Sequence, residues 1–391
     1  MSNFPLSYKL SWLPRFLSPS LAGDRKGFAA RRAEWIEPVP RHKARLVFVG
    51  DLSAVANRAA PTVDPALRDL FASADLVVGN CESPVVERPR FGLGTRLGIR
   101  HTMTAGFLGE ALEAVGIVRE RLVLSIANNH ALDQGVEGFR ETLEALAGLG
   151  IRTIGLAGEP VARVVLLSAS FQAQYRRGTP TPNPSPQGGG EAAAPKSSSP
   201  LRGGIRGGGT LTVGFSAFTQ WYNAPARDFA GRVGMTTDPA SWPRETMQAC
   251  DLLCAVPHWD WEFRHFPRAE TRALARRLAQ AGVGLIVGGH AHVVQPLERI
   301  GGSLVAYGLG DFLGTAFVRQ PWPGRIGAML AVDISLDEAM RGRIAGYRMH
   351  PFFRLCETGR ERLVPVEALD VRLRDKVVRR LAAVMGAEDA A

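Results

Sequence analysis

The chain has 391 residues, of which 46% are hydrophobic and 21% charged, a composition typical of a globular protein with one large domain or two small ones. Its formal net charge of +10 is confined to two segments: residues 1–45 carry nine basic and three acidic side chains, residues 174–209 carry five and one, and the remainder carries 33 of each sign. This distribution disfavours nucleic-acid binding by the folded part, and four scattered cysteines disfavour a disulfide scaffold or a cysteine-rich zinc site.

The N-terminal segment, residues 1–44, is rich in proline and arginine and has weak periodicity, which predicts a mostly irregular basic leader. Pro14 and Arg15 interrupt its apolar residues, so it lacks the continuous apolar region of a secretory signal. No apolar run in the chain approaches the ~20 residues that a membrane span needs. We therefore expect a cytoplasmic protein, with peripheral membrane contact through aromatic side chains of this segment as an alternative.

Residues 45–355 alternate between short apolar runs and amphipathic segments, the pattern of an α/β domain. Residues 356–391 are predicted to form a helical extension around the amphipathic segment Val366–Val384. Helices are predicted within the domain at Pro65–Ser73, Ala105–Val115, Glu137–Leu149 and Arg268–Ala281. Strands are predicted at Leu46–Val49, Leu76–Val78, Leu122–Ile126, Leu252–Val256, Leu285–Val287 and Leu304–Tyr307.

A low-complexity segment, residues 174–209, interrupts this domain, and Gly, Pro and Ser make up 19 of its 36 positions. Such a sequence cannot bury enough apolar surface to offset the entropy of ordering it, so we expect a disordered insertion. Apolar runs at Ala162–Ser168 and Thr210–Phe215 flank it, which predicts that it joins two neighbouring strands of one domain. A polyproline-type ligand for a partner is the functional alternative.

Polar residues follow each of the six predicted strands. In α/β sheets, ligands bind outside the carboxyl ends of the strands, so we expect these side chains to converge at one edge. Carboxylate, amide and imidazole groups suit Mn, Fe or Zn, which makes a metal site the favoured interpretation. The polar clusters are Gly50-Asp51, Gly79-Asn80-Cys81-Glu82, Asn128-Asn129-His130 with Asp133, His258-Trp259-Asp260, His290-Ala291-His292 and Gly310-Asp311.

Four of the eight histidines lie in these clusters. His290 and His292 are two residues apart, so both can face one site only if the backbone departs from strand alternation, as a glycine-rich turn permits. The other four lack this context and are interpreted as packed or surface residues: His42, His101, His265 and His350.

Three charged side chains flank the predicted site without a clear role. Asp260 and Glu262 lie on a tryptophan-rich loop after His258. Either one of these carboxylates orients a metal-bound histidine, or the aromatic side chains of the loop only line the site. Arg100 precedes a predicted helix and either binds an anionic substrate group or is an ordinary surface residue.

The chain resembles the CapA family of capsule or poly-γ-glutamate synthesis proteins, a branch of the calcineurin-like metallophosphoesterase superfamily. The resemblance covers residues 45–320, apart from the insertion, and it is carried by VGDL (49–52), ADLVVGNCES (74–83), ANNHALDQG (127–135), PHWDWEF (257–263), GGHAHVVQP (288–296) and YGLGDF (307–312).

This resemblance implies a metallophosphatase-like four-layer α/β/β/α sandwich that holds one or two divalent ions. It implies His130 as the group that stabilises the transition state or protonates the leaving group. The implied metal ligands are Asp51, Glu82, Asn129, His258, His290 and His292. Residues that would support these ligands or bind substrate are Asn80, Asp133, Asp260, Asp311 and Arg100.

The sequence departs from the superfamily pattern at the first motif. Asp51 is followed by Leu52 and Ser53, where the superfamily has Asp-x-His, so one nitrogen ligand is missing and one metal would be weakly held or lost. Glu82 stands where the superfamily usually has a bridging aspartate. Asp260 and Asp311 stand where the family often has Gly and Asn, which adds carboxylates near the site.

Two functions are consistent with this resemblance. The first is a metal-dependent hydrolase of cell-envelope polymer metabolism, acting on a phosphoester or γ-glutamyl amide bond through metal-activated water. The second is a non-enzymatic accessory protein on the same fold. The expected partners are an anionic polymer or a phosphorylated small molecule for the first, and a polymer or its synthase for the second.

Overall fold

The computed structural model of the protein describes residues 2–28, 31–53, 59–90, 100–167, 210–235, 238–314, 320–357 and 360–386. The predicted insertion, residues 174–209, lies outside these ranges. The helices are α1 (Leu6–Leu17), α2 (Pro65–Ala72), α3 (Ala105–Val115), α4 (Gly135–Gly148), α5 (Ala226–Phe229), α6 (Arg244–Gln248), α7 (Ala269–Gln280) and α8 (Val371–Met385). The strands are β1 (Ala33–Trp35), β2 (Lys43–Ser53), β3 (Thr62–Val63), β4 (Leu76–Cys81), β5 (Leu122–Ser125), β6 (Arg152–Ile154), β7 (Ala162–Leu167), β8 (Thr210–Thr219), β9 (Leu252–His258), β10 (Leu285–Val287), β11 (Leu297–Ile300), β12 (Ser303–Ala306), β13 (Asp311–Gly314), β14 (Ile326–Ser335), β15 (Ile344–Glu357) and β16 (Arg360–Pro365).

The strands of the described residues form two sheets. The first has the order β3-β16-β15-β14-β2-β4-β5-β6, with β1 beside β15 and β13 beside β2. The second has the order β11-β12-β10-β9-β8-β7. Strands β2, β4, β5 and β6 run parallel in the first sheet, as do β8, β9, β10 and β12 in the second. In each sheet the carboxyl ends of these parallel strands therefore reach one edge.

Side-chain alternation along the second sheet shows how the layers pack. Leu285 and Val287 of β10 join the hydrophobic cluster that includes the first sheet, whereas Ile286 between them packs in the cluster that holds Leu274 and Leu278 of α7. Since successive side chains of a strand point to opposite faces, one face meets the first sheet and the other meets a helix. This arrangement confirms the predicted layered α/β class.

The predicted elements inside the domain are present. Each of the four predicted helices and each of the six predicted strands has a counterpart within a few residues of the expected bounds. The runs on either side of residues 174–209 form β7 and β8, which pair antiparallel with Ala162 opposite Phe215. The described strands that precede and follow the insertion are thus adjacent in the sheet.

The structure differs from the sequence-based expectation at both ends of the chain. Residues 1–44 were expected to be irregular, yet they contain α1 and β1, and the expected boundary at residue 356 falls inside β15. Strand β16 pairs with β15 and β3, so the C-terminal segment becomes helical only after residue 365, with a 3-10 turn at Val366–Ala368 and then α8. Contacts with distant parts of the chain stabilise α1 and β16, so neither element needs a strong periodic pattern in its own sequence.

None of the helices in the described ranges combines the length and the hydropathy that a bilayer crossing requires.

Gly50 offers a test of the packing between β2 and the chain before β13. A Cβ atom at this position would overlap the carbonyl oxygen of Gly310, which is backbone and cannot turn away. We therefore expect Gly50→Ala to lower the free energy of unfolding by about 3 kcal/mol in urea titrations. The matched control is Gly148→Ala at the exposed end of α4, where a Cβ meets nothing within 4 Å and should change stability by about 1 kcal/mol or less. Equal stability of both variants would contradict the close contact.

Candidate metal centre

Asp51 and Asn80 form the floor of the centre, as neighbours in the parallel pair β2–β4. Asn80 Nδ2 donates to Asp51 Oδ1 at 2.8 Å and lies 3.3 Å from His258 Nδ1. Asn128 Nδ2 donates to Asn80 Oδ1 at 3.1 Å, so a chain of side-chain amides fixes the orientation of the carboxylate. This places Asn80 where it supports Asp51 and His258.

Glu82 lies directly after β4 and is completely buried. Its Oε2 accepts a hydrogen bond from Ser53 Oγ at 3.1 Å, whereas its Oε1 has no hydrogen-bond partner among the described residues. His258 Nε2 and His292 Nε2 each lie 3.6 Å from this oxygen. A buried carboxylate oxygen without a donor is costly, and a cation between these atoms would remove that cost.

His290 and His292 follow the turn Gly288-Gly289 after β10. Both have left-handed backbone conformations, with φ of 83° and 52°, and this departure from strand alternation lets both rings approach one site. The His290 N–H donates to Asp51 Oδ2 at 3.0 Å, while neither ring nitrogen of His290 has a hydrogen-bond partner in the described part of the chain. The ring is fully buried, so its unpaired nitrogens are available to a metal.

Asp311 does not lie in a loop after a strand, as the sequence pattern suggested, but begins β13. That strand runs parallel to β2 with Asp311 opposite Asp51. Asp311 Oδ1 lies 2.6 Å from His292 Nδ1, and Oδ2 accepts from Arg354 Nη2 at 3.0 Å. The fully buried Arg354 also donates to Glu361 Oε1 at 2.8 Å.

The structure brings together the six predicted ligands. One ligand atom from each of Asp51, Glu82, His292 and Asp311 lies within 4.8 Å of the others, and the same holds for Glu82, His290 and His292. Asn129 Oδ1 lies 2.7 Å from His258 Nε2, on the side of the cluster nearest Glu82. Glu82 and His292 belong to both groups, so the cluster offers two overlapping positions for an ion. The role of these side chains as ligands stays a prediction.

Burial controls the electrostatics of this cluster. It raises the pKa of Asp51 to about 6 and the pKa of Glu82 well above its usual value. Burial, together with the charge of neighbouring histidines, holds the pKa values of His258 and His290 well below the ordinary value. Both imidazoles are therefore neutral, which is the form that binds a metal. Although burial opposes it, the Glu82 and Asp311 carboxylates raise the pKa of His292.

His130 lies beside this cluster in a second group of polar side chains. Its Nδ1 is 2.6 Å from Asp133 Oδ2 and 3.3 Å from Asn223 Nδ2. The ring of His101 stacks on it with centroids 3.7 Å apart, and the His101 N–H donates to Asp133 Oδ2 at 2.7 Å. The sequence pattern gave His101 no such role because it precedes a helix, outside the polar clusters at strand ends.

The structure separates three other candidates from the ligands. The Asp260 carboxylate accepts from the backbone N–H and Nε of Arg268 at 2.9 and 2.8 Å, so it fixes the start of α7 and orients no histidine. Glu262 accepts hydrogen bonds from Trp12 Nε1 and, through its backbone oxygen at 3.0 Å, from Arg15 Nε. Arg100 is exposed.

Sequence reasoning missed Arg354, Glu361, Asn223 and the N-terminal contacts. Arg354 had a visible signal, because a charged residue in the apolar run Phe352-Phe353-Arg354-Leu355 is unusual unless it is paired. Its partner Glu361 lies across the β15–β16 pair, close to the register Arg354–Leu363. Asn223 carried no signal, since it lies in a loop without a motif.

An aromatic stack covers the cluster on one side. Phe4 lies with its ring centroid 5.9 Å from His290, 4.9 Å from Trp221 and 4.4 Å from Tyr8, at interplanar angles of 14–22°. Tyr8 also meets the edge of Trp261 at 5.6 Å. The N-terminal segment, predicted as an irregular leader, thus contacts a candidate ligand directly.

Comparison with known proteins identifies a family that matches this chain. Residues 45–316 match the family described as bacterial capsule synthesis protein PGA_cap. The chain is 24% identical to the PGA biosynthesis protein CapA of Bacillus subtilis, over 68% of this chain and 62% of that protein. It is 27% identical to a probable polyglutamine synthesis accessory protein of Mycobacterium tuberculosis, over 48% of this chain and 44% of that protein. The chain thus spans less than two thirds of the length of these relatives. A hypothetical protein from Thermus thermophilus of known crystal structure aligns over 79% of this chain and 99% of its own, with 14% identity and a TM-score of 0.38.

Proposed function

Because the chain belongs to the bacterial capsule synthesis family PGA_cap, we propose that it is a metal-dependent hydrolase of cell-envelope polymer metabolism. The proposed reaction cleaves a phosphoester or a γ-glutamyl amide bond. The fold is the metallophosphatase-like sandwich of that family, and the site lies at the carboxyl ends of its parallel strands, where such folds bind ligands.

The observation that carries this proposal is the unpaired Oε1 of Glu82. This oxygen is fully buried, and the Nε2 atoms of His258 and His292 lie 3.6 Å from it without a hydrogen bond. A purely structural carboxylate would be expected to have a donor, as Asp260 has in Arg268. One carboxylate oxygen and two imidazole nitrogens that face one another form a ligand set that suits a divalent cation.

The ligand set compensates for the missing histidine of the first motif. We assign one position to Asp51, Glu82, His292 and Asp311, and the other to Glu82, Asn129, His258 and His290. Asp311 supplies the fourth ligand of the first position, since it stands opposite Asp51 across the β2–β13 pair. The extra carboxylate makes this position rich in oxygen, which favours Mn over softer ions.

Charge balance supports a divalent occupant. The described part of the site holds four buried carboxylates, those of Asp51, Glu82, Asp311 and Glu361, and Arg354 pairs with only two of them, Asp311 and Glu361. Divalent ions would offset this excess of negative charge without protonating the carboxylates.

Different residues of the chain would have different roles in hydrolysis. A bound divalent ion supplies a Lewis acid and an acidified water. His130 is held by Asp133 at Nδ1, which leaves Nε2 as the ring atom able to pass a proton to a leaving group. Burial lowers the pKa of His130 to about 3 and raises that of Asp133 to about 7, so near neutral pH the pair can hold one shared proton. His101, stacked on His130, limits rotation of that ring.

Elemental analysis and substrate assays test this proposal. We expect purified protein to contain a divalent metal, and to hydrolyse p-nitrophenyl phosphate or poly-γ-glutamate at a rate that depends on added manganese. His290→Ala should lose both properties, whereas Asp260→Asn should keep bound metal. A protein with no bound metal and no turnover of either substrate would contradict the proposal.

A non-enzymatic accessory role on the same fold is the second candidate. Ser53 favours it, because this side chain occupies Glu82 Oε2 near the place where the first-motif histidine would supply a ligand. The Mycobacterium relative also carries the word accessory in its name. The double variant Asn129→Ala, His290→Ala distinguishes the two functions. If it loses metal but still binds poly-γ-glutamate, the accessory role is supported. If it loses both metal and polymer binding, the hydrolase is supported.

The partners proposed from the sequence follow from this function. An anionic polymer or a phosphorylated small molecule would be the substrate, and an envelope-polymer synthase would be the protein partner. Cell fractionation tests the proposed cytoplasmic compartment, and co-purification with membranes would support the peripheral alternative.

A further inference from the structure

We propose that residues 3–17 form a removable cover over the metal centre. The cover closes on His290 through Phe4 and is anchored at the far end by Arg15. It regulates access to the centre of the proposed function, but the contacts that define it exist without metal.

The inner face of this segment seals the centre. Phe4, which is 9% exposed, stacks on His290. Tyr8, which is 5% exposed, stacks on Trp221 and meets Trp261 in an edge-to-face contact. The six candidate ligands are themselves 8% exposed or less. A substrate group therefore has to displace Phe4 to approach His290 from this side.

Specific polar contacts hold the cover in one register. Asn3 Nδ2 donates to the Gln220 carbonyl at 2.8 Å, and Asn3 Oδ1 accepts from the Tyr222 N–H at 3.0 Å. At the other end, Arg15 Nε donates to the Glu262 carbonyl at 3.0 Å and its guanidinium lies over the ring of Trp261. Contacts at both ends of one short segment define a unit that can close and open as a whole.

The helix itself is weak, which makes this unit removable. Helix α1 has 12 residues, no side-chain cap at its N-terminus and Pro14 in its interior. Helices of this length are marginal in water without tertiary packing. Its outer face packs on little of the described protein, with exposed fractions of 71% for Leu6, 73% for Leu10, 56% for Leu13 and 60% for Leu17.

The Arg15 anchor gives a test that separates a removable cover from a fixed wall. Within the described residues, the Arg15 side chain contacts Glu262, Ser11, Tyr8 and Trp261 and no candidate ligand. Its positive charge acts on His290 without contact, and loss of that charge alone would favour a bound cation. Faster metal release in a variant at Arg15 therefore indicates that the segment detaches. In the full-length, manganese-loaded protein, we expect Arg15→Met and Phe4→Ala to release metal to EDTA about ten-fold faster than the wild type. Lys9→Met is the matched control, because Lys9 is an exposed cation of the same helix, and it should release metal at the wild-type rate.

A second measurement keeps the test valid if the protein holds no metal. Diethyl pyrocarbonate labels accessible imidazoles, and mass spectrometry reports the label on His290 in the metal-free chain. Labelling that is about ten-fold faster in Arg15→Met and Phe4→Ala supports the cover even if the hydrolase proposal fails. Wild-type rates of both metal release and labelling in these folded variants would overturn the cover while leaving the proposed function standing.

Discussion

Glu82→Gln is expected to abolish most of the metal affinity while making the metal-free protein at least as stable as the wild type. Glu82 contributes to both proposed ion positions, so its loss weakens each of them. In the metal-free state the same carboxylate is buried beside Asp51 and Asp311, and burial raises its pKa well above the usual value. A neutral amide of the same shape removes that unfavourable charge.

Thermal unfolding with and without manganese measures both effects. For the wild type, an ion at 1,000 times its dissociation constant adds about 4.1 kcal/mol to stability. A variant that binds about 100-fold more weakly gains only about 1.4 kcal/mol at the same concentration. Asp260→Asn is the control, since it removes a buried carboxylate that pairs with Arg268, and its manganese-induced gain should match the wild type. An unchanged gain in Glu82→Gln would exclude this residue as a ligand.

Arg354→Met is expected to destabilise the protein by about 3–5 kcal/mol, the effect of leaving buried charges without a partner. Arg354 is completely buried and pairs with Asp311 Oδ2 at 3.0 Å and with Glu361 Oε1 at 2.8 Å. It also donates to Gln320 Oε1 and to the Gly324 carbonyl. Loss of the guanidinium therefore removes the charged partner of one oxygen on each of two buried carboxylates, and it removes the donor to two further acceptors.

Urea unfolding of metal-free protein distinguishes this charge effect from lost packing. Adding Glu361→Gln to Arg354→Met removes one of the unpaired carboxylates, so the double variant should recover about 1–2 kcal/mol. The comparison variant is Arg341→Met, which breaks the more exposed pair with Asp251 and should cost about 1 kcal/mol or less. If the double variant is less stable than Arg354→Met, lost packing rather than unpaired charge explains the effect.

The sequence pattern located the strands and the side chains that follow them because both depend on local rules. Apolar runs that end in glycine and polar residues indicate buried parallel strands, and Asp51, Glu82 and His258 lie at such ends. The left-handed conformations of His290 and His292 could also be expected, because two histidines that are two residues apart can face one site only if the backbone departs from strand geometry.

The remaining features depend on contacts between distant parts of the chain. Asp311 lies at a predicted strand end, yet its place beside Asp51 depends on β13 joining the first sheet, which no local pattern specifies. Arg15 reaches Glu262 across 247 positions of the sequence. Such contacts stabilise α1 only once the rest of the fold has formed, so the helix leaves no clear periodic pattern in the sequence of residues 1–44.

The distribution of ligands between the two sheets has a mechanical consequence. Asp51 and Glu82 come from the first sheet, whereas His258, His290 and His292 come from the second. An ion shared by these side chains would add a link between the two sheets to the polar contacts that already join them, such as the hydrogen bond from the His290 N–H to Asp51 Oδ2. Hydrogen exchange along β2 and β10 should then slow together when metal is added, because the sheets could separate only after the ion leaves the ligands of one of them.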